Sequence, residues 1–273
     1  MTTPARPGDV VGVRLNTVFA RARAERRGVL IPYVTGGFPS MDACDRAIAE
    51  FVAAGADIVE LGVPCSDPLA DGPVVQASTH TALEAGVTTD DVFDLAAGHS
   101  RDVPFVLLIY VNNVLAYGPE RFFHRCFQTG VDGVVMPDLP VDEAGELIAT
   151  AAADGVAVIL LAAPTSTDDR LDLIAAAAQG FVYCVAVTGV TGARTTDSDE
   201  LPDLVSRLRA RTTLPLVAGF GISTPEQAAR AARHADGVIV GSALIRILAE
   251  KDEGGGLAEA AALVHAAAQA LRA

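Results

Sequence analysis

Two carboxylates that could carry acid/base chemistry, Glu60 and Asp71, lie close together in the chain. Glu60 interrupts an otherwise apolar run, VELGV, whose neighbours predict burial. A buried carboxylic acid has a raised pKa and can exchange a proton near neutral pH, although a structural glutamate paired with arginine would have the same context. Asp67 and Asp71 follow in PCSDPLADGP, each before a residue that bends the chain. Both fit turn formers, but the loop could also supply a second, more solvated carboxylate beside Glu60.

Three glycine-rich stretches near the end of the chain could bind a phosphate group. They are TGVTGA at 188–193, AGFGIST at 218–224 and VGSAL at 240–244, and the last two lead into predicted helices. Glycine lets backbone N–H groups approach an anion, and a helix N-terminus adds a favourable dipole. Because the formal net charge is −14, we expect any phosphate to be bound by such local groups.

Missing residue types narrow the chemistry further. The single lysine, Lys251, follows the last predicted strand, which excludes a Schiff-base lysine inside the fold. All five histidines lie in loops or helical stretches, so the cluster of a metal-dependent aldolase is not expected. We therefore expect no metal. The histidines are His80, His99, His124, His234 and His265.

Three tyrosines could surround an aromatic substrate. Tyr33 lies in the first predicted strand, and Tyr110 and Tyr183 lie near the ends of the third and sixth. Aromatic residues in such positions are usually part of the core, and the sequence leaves both interpretations open.

Eight short, nearly continuous apolar runs must position these residues. Continuous apolarity is typical of parallel strands that are covered on both faces, and helix-period stretches separate the runs. Ser40 and Thr224 with Pro225 are good helix starts, and the joints GADIVELG, GVDGVVMP and HADGVIVG repeat one pattern with Asp before the strand. The predicted strands are 29–35, 57–63, 104–110, 132–138, 156–162, 181–187, 214–220 and 236–242.

Eight strand and helix units in 273 residues favour one (β/α)8 TIM barrel, with an open doubly wound sheet as the alternative. We expect a single domain over 1–273, with a loose tail at 1–12, a helix at 13–27 and a flexible break at 252–256. The spacing predicts long loops after strands two and six. Segments 63–80 and 188–200 are therefore where function is expected.

Composition excludes other classes of protein. The acidic charge and the lack of a basic stripe argue against nucleic acid as a partner. No apolar run is long enough for a membrane span or signal peptide, so we expect a cytoplasmic protein. The four widely spaced cysteines predict reduced thiols.

The segments ELGVPCSDPLADGP, GVDGVVMPDLP, TGVTGAR and GFGIS, in this order, resemble the tryptophan synthase α-subunit family over about 13–250. The resemblance implies a lyase of tryptophan biosynthesis, which splits indole-3-glycerol phosphate into indole and glyceraldehyde 3-phosphate without a cofactor. Glu60 matches the general acid/base and Asp71 the carboxylate that accepts the indole N–H. Tyr110 and Tyr183 match indole-pocket positions, and Thr191 matches a lid threonine. The matches to phosphate-binding positions are Gly192, Phe220, Gly221, Gly241 and Ser242.

The same resemblance implies a hetero-oligomer of two α and two pyridoxal-phosphate-containing β subunits. Family members contact the β subunit through loops, and the positions of this chain that match those loops are given at the end of this paragraph. This chain departs from the family at TGGFPS after the first strand, at VAV before TGVTG, at ARTTDSDELP in the lid and at Cys65. The matching interface positions are Pro64, Asp67, Pro68, Asn112, Asp138 and Pro140.

Three functions remain in view besides the α subunit. A stand-alone lyase would release free indole. A regulatory subunit would bind ligand and activate a partner, but Glu60 and Asp71 argue against this. A different phosphate-handling barrel isomerase is disfavoured by the missing lysine and histidine sites.

Overall fold

Eight parallel strands close into a barrel in chain order. The computed structural model describes residues 11–185, 200–219, 221–250 and 253–272. Each strand pairs with the next and β8 pairs with β1, which confirms the (β/α)8 barrel and excludes the open sheet. The strands are β1 (Val29–Thr35), β2 (Val59–Gly62), β3 (Phe105–Leu108), β4 (Val131–Val135), β5 (Ala157–Ala162), β6 (Val182–Val185), β7 (Leu216–Gly219) and β8 (Gly237–Val240).

Helices cover the barrel. Ser40 and Thr224 accept N-terminal backbone N–H groups as predicted, and Thr224 forms a capping box with Gln227. Within the described part of the chain, no helix has the length and apolarity to cross a membrane. The helices are α1 (Val13–Ala24), α2 (Met41–Ala53), α3 (Pro73–Glu84), α4 (Thr89–His99), α5 (Val111–Tyr117), α6 (Pro119–Thr129), α7 (Gly145–Ala153), α8 (Asp168–Ala177), α9 (Glu200–Arg209), α10 (Pro225–Ala232), α11 (Ser242–Glu250) and α12 (Glu253–Ala270).

Helix α1 covers the N-terminal end of the barrel. Its Leu15 and Phe19 are buried in the core, and the ring of Phe19 packs on that of Phe181 with centroids 5.7 Å apart. This helix confirms the one expected before the first strand. The C-terminal end of the barrel is thereby left as the open end, where barrel enzymes place their active sites.

Two expectations about irregular segments change. The extra length after β2 is a loop at 63–72 followed by two helices, α3 and α4, because residues from Pro73 onward bury one face against the barrel. The predicted break at 252–256 is wrong where it is described, since Gly254 and Gly255 lie inside α12. Each glycine costs a helix about 1 kcal/mol, which the packing of α12 against α2, α10 and α11 offsets. Segment 188–199 lies outside the described residues.

The repeated strand joints have a shared function at the N-terminal end. One side-chain oxygen at the start of each even-numbered strand accepts the backbone N–H of the strand before it, at 2.7 to 3.2 Å. We call these four hydrogen bonds the strand-start clamps. In chain order they are Leu30 to Asp57, Phe105 to Asp132, Val158 to Gln179 and Leu216 to Asp236.

Arginines reinforce the acidic clamps. Arg27 donates two hydrogen bonds to Asp57, at 2.7 and 2.9 Å, and both side chains are buried. Arg14 reaches Asp132 at 3.0 Å, and Arg209 pairs with Asp236. Since these contacts lie at the end opposite the active-site end, their role is stability.

Candidate active site

Glu60 is buried inside the barrel on β2. Its side chain is 1% exposed, and it lies in register with Tyr33 of β1 and Val106 of β3. Its Oε1 atom has no hydrogen-bond partner among the described residues. Burial, and then the charge of Asp71, raise the pKa of Glu60 to about 8. A buried acid with an unsatisfied oxygen is costly to the fold, which favours a chemical role over a structural one.

Asp71 is presented by the loop between β2 and α3. Its N–H donates to the Pro68 carbonyl at 3.1 Å, and Gln76 donates to the Asp71 carbonyl at 2.8 Å, so the backbone forms the predicted turn. The carboxyl is half-buried. Burial raises its pKa to about 6, while a hydrogen bond from Tyr110 opposes that rise. The two acids thus occupy different environments.

Asp67 differs from Asp71. It is exposed and accepts a hydrogen bond from the Ser66 hydroxyl at 2.6 Å. This is the contact of a turn residue at the surface, and it separates Asp67 from the buried acids.

The three tyrosines are all buried and lie around the two acids, and we call the region that they enclose the chamber. The charges of Glu60 and Asp71 act on the hydroxyls of Tyr33 and Tyr183, and the Tyr110 hydroxyl accepts the Ala70 N–H at 3.0 Å. Burial raises the pKa of each tyrosine, so all three stay neutral near pH 7. They are therefore neutral core aromatics beside the two acids.

Two strand-end glycines make room for these rings. A Cβ on Gly62 would overlap the Tyr33 hydroxyl, and one on Gly219 would overlap the Tyr183 ring. Glycine is required at both positions because the tyrosine rings pass directly over the backbone there.

The predicted phosphate site is only partly described. Gly221 is exposed with φ 76°, a backbone conformation that favours glycine. Helix α11 begins at Ser242, which is exposed, and Ile245 donates to the Gly241 carbonyl at 3.1 Å. The preceding N–H groups have no intrahelical acceptor and can bind an anion. Predictions for Thr191, Gly192 and Phe220 fall outside the described residues.

Comparison with known proteins identifies the family. The sequence profile of the family described as "Tryptophan synthase alpha chain" matches residues 19–272. The chain belongs to this family. The tryptophan synthase alpha chain of Geotalea uraniireducens is 44% identical over 239 residues, covering 87% of this chain and 90% of that one. That of Gluconacetobacter diazotrophicus is 46% identical over 238 residues, covering 86% and 87%.

Solved structures agree. A chain in a Mycobacterium tuberculosis tryptophan synthase structure superposes with a TM-score of 0.90 at 38% identity, covering 97% of this chain and 100% of that one. The Legionella pneumophila tryptophan synthase alpha chain gives 0.85 at 33% identity, covering 94% and 97%. Membership of the tryptophan synthase alpha chain family confirms the resemblance drawn from the sequence, and with it a lyase of tryptophan biosynthesis.

The loops that carry the predicted interface positions are connected to one another. Asp138 accepts the Val111 N–H at 3.0 Å, and Asn113 donates to the Pro64 carbonyl at 3.3 Å, so the loops after β2, β3 and β4 are connected. Asp67, Asn112, Asp138 and Pro140 are exposed and Pro68 is half-buried.

The exposure of two residues in these loops is informative. The Pro64 side chain is buried, so it supports the loop from within. Leu69, not singled out from the sequence, is 89% exposed in the same loop. The sequence signal that could have identified Leu69 was an apolar residue within a loop rich in Asp and Pro.

Proposed function

We propose that the chain cleaves indole-3-glycerol phosphate to indole and glyceraldehyde 3-phosphate through Glu60 and Asp71. The observation that carries this is Glu60, buried on β2 with an Oε1 that has no partner among the described residues, beside the less buried Asp71. These environments raise their pKa values to about 8 and about 6, on the two sides of neutrality. Near pH 7 the first acid holds its proton and the second is ionised. One chamber therefore contains a proton donor and an anionic acceptor together.

The reaction then follows in two balanced steps. Protonated Glu60 gives its proton to the indole ring carbon that bears the glycerol chain, forming a cationic indoleninium. The carboxylate of Asp71 accepts the ring N–H and stabilises that charge. The Glu60 carboxylate next takes the proton of the adjacent glycerol hydroxyl as the carbon–carbon bond breaks. The bonding electrons return to the ring, the hydroxyl carbon becomes the aldehyde, and Glu60 is protonated again.

The aromatic chamber and the glycine-rich end suit the two parts of this substrate. Tyr33, Tyr110 and Tyr183 supply flat apolar surfaces for the ring. Gly221, Gly241 and Ser242, with Thr191, Gly192 and Phe220, would bind the phosphate through backbone N–H groups and the N-terminus of α11.

We further propose that a β subunit docks on the face formed by the loops after β2, β3 and β4. Its support is the continuity of these loops with Asp71 and the exposure of Leu69 there. A stand-alone lyase is the alternative within the same chemistry. A cytoplasmic location is also proposed, since the four cysteines are free and buried, as suits a reducing compartment.

Indole release from purified protein supplied with indole-3-glycerol phosphate tests the proposal, with and without a β subunit. Glu60→Gln should bind substrate with no turnover, because an amide cannot exchange the proton. Asp71→Asn should reduce the rate strongly with the fold intact. Full activity of Glu60→Gln would overturn the mechanism. Strong stimulation by the β subunit supports the docking proposal, and high unaided turnover supports the stand-alone lyase.

A further inference from the structure

A cavity of about 560 Å³ lies at the N-terminal end of the barrel, where helices α1, α10 and α12 end. Gly28 and Asp236, the residues directly before β1 and β8, line it, so it lies at the end opposite the predicted active site. Its charged lining among the described residues is one carboxylate, that of Asp236, and four arginines, and we call it the arginine cavity. The arginines are Arg23, Arg26, Arg27 and Arg233.

The inner surface of the arginine cavity is apolar, and three parts of the chain meet there. A Cβ on Gly28 would lie 3.1 Å from the Leu271 Cδ2 and 3.2 Å from the Ala232 Cβ, and the Gly28 N–H donates to the Leu271 carbonyl at 3.2 Å. Phe19 and Ala22 of α1 complete this surface and are buried. A concave site of this volume, apolar inside and with a few charged groups, suits a small organic molecule.

Two of the four arginines have carboxylate partners and two do not. Arg27 binds two carboxylates, and Arg23 lies 3.8 Å from Asp236. Arg26 and Arg233 have no carboxylate partner among the described residues, and both are exposed. The cavity therefore presents two unpaired cations, one after α1 and one at the end of α10, in a chain whose formal net charge is −14.

The backbone of Arg26 is strained. Its φ is 57°, and among the described residues it is the only one other than glycine with a positive φ. It closes α1, since the Arg27 N–H donates to the Ala22 carbonyl at 3.0 Å and the Arg26 N–H to the Arg23 carbonyl at 3.1 Å. Glycine is the usual residue at this position, because a side chain is crowded there.

The helix dipole does not account for this arginine. A cation in the last turn of a helix complements the negative end of the dipole, and Arg21 and Arg23 already supply two such cations in α1. Arg26 lies beyond that turn, in a conformation that favours glycine. A cation kept at such a position, beside a second unpaired cation, indicates a bound anion.

We propose that the arginine cavity binds a small organic anion with two or more carboxylate or phosphate groups, held by Arg26 and Arg233. Guanidinium groups bind both kinds of oxyanion through paired N–H donors. Two negative groups are needed because the two free arginines lie on different helices and the ligand must also offset the charge of Asp236. The site is separate from the lyase chemistry. A ligand there joins the end of α1 to α10, and so stabilises the native barrel.

Calorimetric titration of the purified chain with citrate, and separately with fructose 1,6-bisphosphate, tests this at constant ionic strength. We expect one saturable site with a Kd below about 1 mM for at least one of them, and much weaker binding of acetate. The polyanion that binds more tightly shows whether carboxylate or phosphate groups are preferred. Absence of saturable binding by both would overturn the inference.

Arg26→Gly separates binding from a structural role, because the two effects have opposite signs. Glycine relieves the strain, so the ligand-free variant should unfold at a higher urea concentration than the wild type. It should nevertheless bind the polyanion about tenfold more weakly, the loss expected for one charge-assisted hydrogen bond. A lower urea midpoint would show that the arginine serves the fold, and would contradict the proposal.

Two further variants locate the site. Arg233→Gln should weaken binding by a similar factor, whereas Arg101→Gln, which removes the same charge at an exposed position outside the cavity, should bind as the wild type does. Unchanged affinity in both Arg26→Gly and Arg233→Gln would place the anion elsewhere, for example at the predicted phosphate site, and would refute the inference. An equal loss in Arg101→Gln would do the same. kcat/KM for indole formation should be unchanged in all three variants, so this test does not depend on that of the lyase function.

Discussion

The pH dependence of the lyase can be worked out from the two buried acids. With a pKa of about 8, about nine tenths of Glu60 is protonated at pH 7, and with a pKa of about 6 about nine tenths of Asp71 is ionised. The working fraction is then about 0.8 near pH 7 and falls about tenfold by pH 5 and by pH 9. At its ordinary pKa of 4.5, only about 0.3% of Glu60 would be protonated at pH 7, so the raised pKa increases the acid form by about 300-fold.

The assay is kcat/KM for indole formation from pH 5 to pH 10, which reports the acid and base of the free enzyme. A bell centred near pH 7 is expected, with apparent values that belong to the coupled pair. Asp71→Asn should remove the acidic limb from the residual activity. It should also move the alkaline limb to lower pH, because the Asp71 charge contributes to the raised pKa of Glu60. A rate that is flat from pH 6 to pH 9, or that declines steadily from pH 5 upward, would refute the reasoning.

Three further predictions concern stability and space. Between about pH 4.5 and about pH 8 the native state keeps the Glu60 proton, whereas the unfolded chain has lost it. As pH rises through this window, Glu60 therefore lowers the free energy of unfolding by about 1.4 kcal/mol per pH unit. Urea unfolding of Glu60→Gln should lack that slope. Gly62→Ala should reduce activity and lower the free energy of unfolding by about 1–3 kcal/mol, because the new methyl group overlaps the Tyr33 hydroxyl. The control Gly98→Ala, at an open position of helix α4, should raise it by up to about 1 kcal/mol in the same urea titrations. Asp57→Ala should cost about 1–3 kcal/mol, because Arg27 keeps only Glu25 as a carboxylate partner and the Leu30 N–H loses its acceptor. Unchanged urea midpoints would contradict this, and kcat/KM should remain as in the wild type, because the pair lies at the far end of the barrel.

The fold was predictable because its main signal is local. Each strand is a short apolar run, and each buried helical face repeats with the helical period, so neither needs knowledge of distant contacts. Where distant packing decides, prediction failed. Gly254 and Gly255 resemble a linker in the sequence, yet α12 continues through them.

The site was predictable one residue at a time. Glu60 was identified because an acid in an apolar strand is unusual, and Asp71 because its loop has a specific sequence. The need for glycine at position 62 gave no signal, since it depends on the Tyr33 ring of the neighbouring strand.

The strand-start clamps divide the barrel into four two-stranded modules. Each clamp joins an odd-numbered strand to the even-numbered strand that follows it, and no clamp joins an even strand to the next odd one among the described residues. A backbone cut between β2 and β3 therefore leaves every clamp within one fragment. A cut between β3 and β4 separates Phe105 from Asp132. Fragments made by the first cut should reassemble more readily than those made by the second, so the clamps mark where such a barrel can be divided.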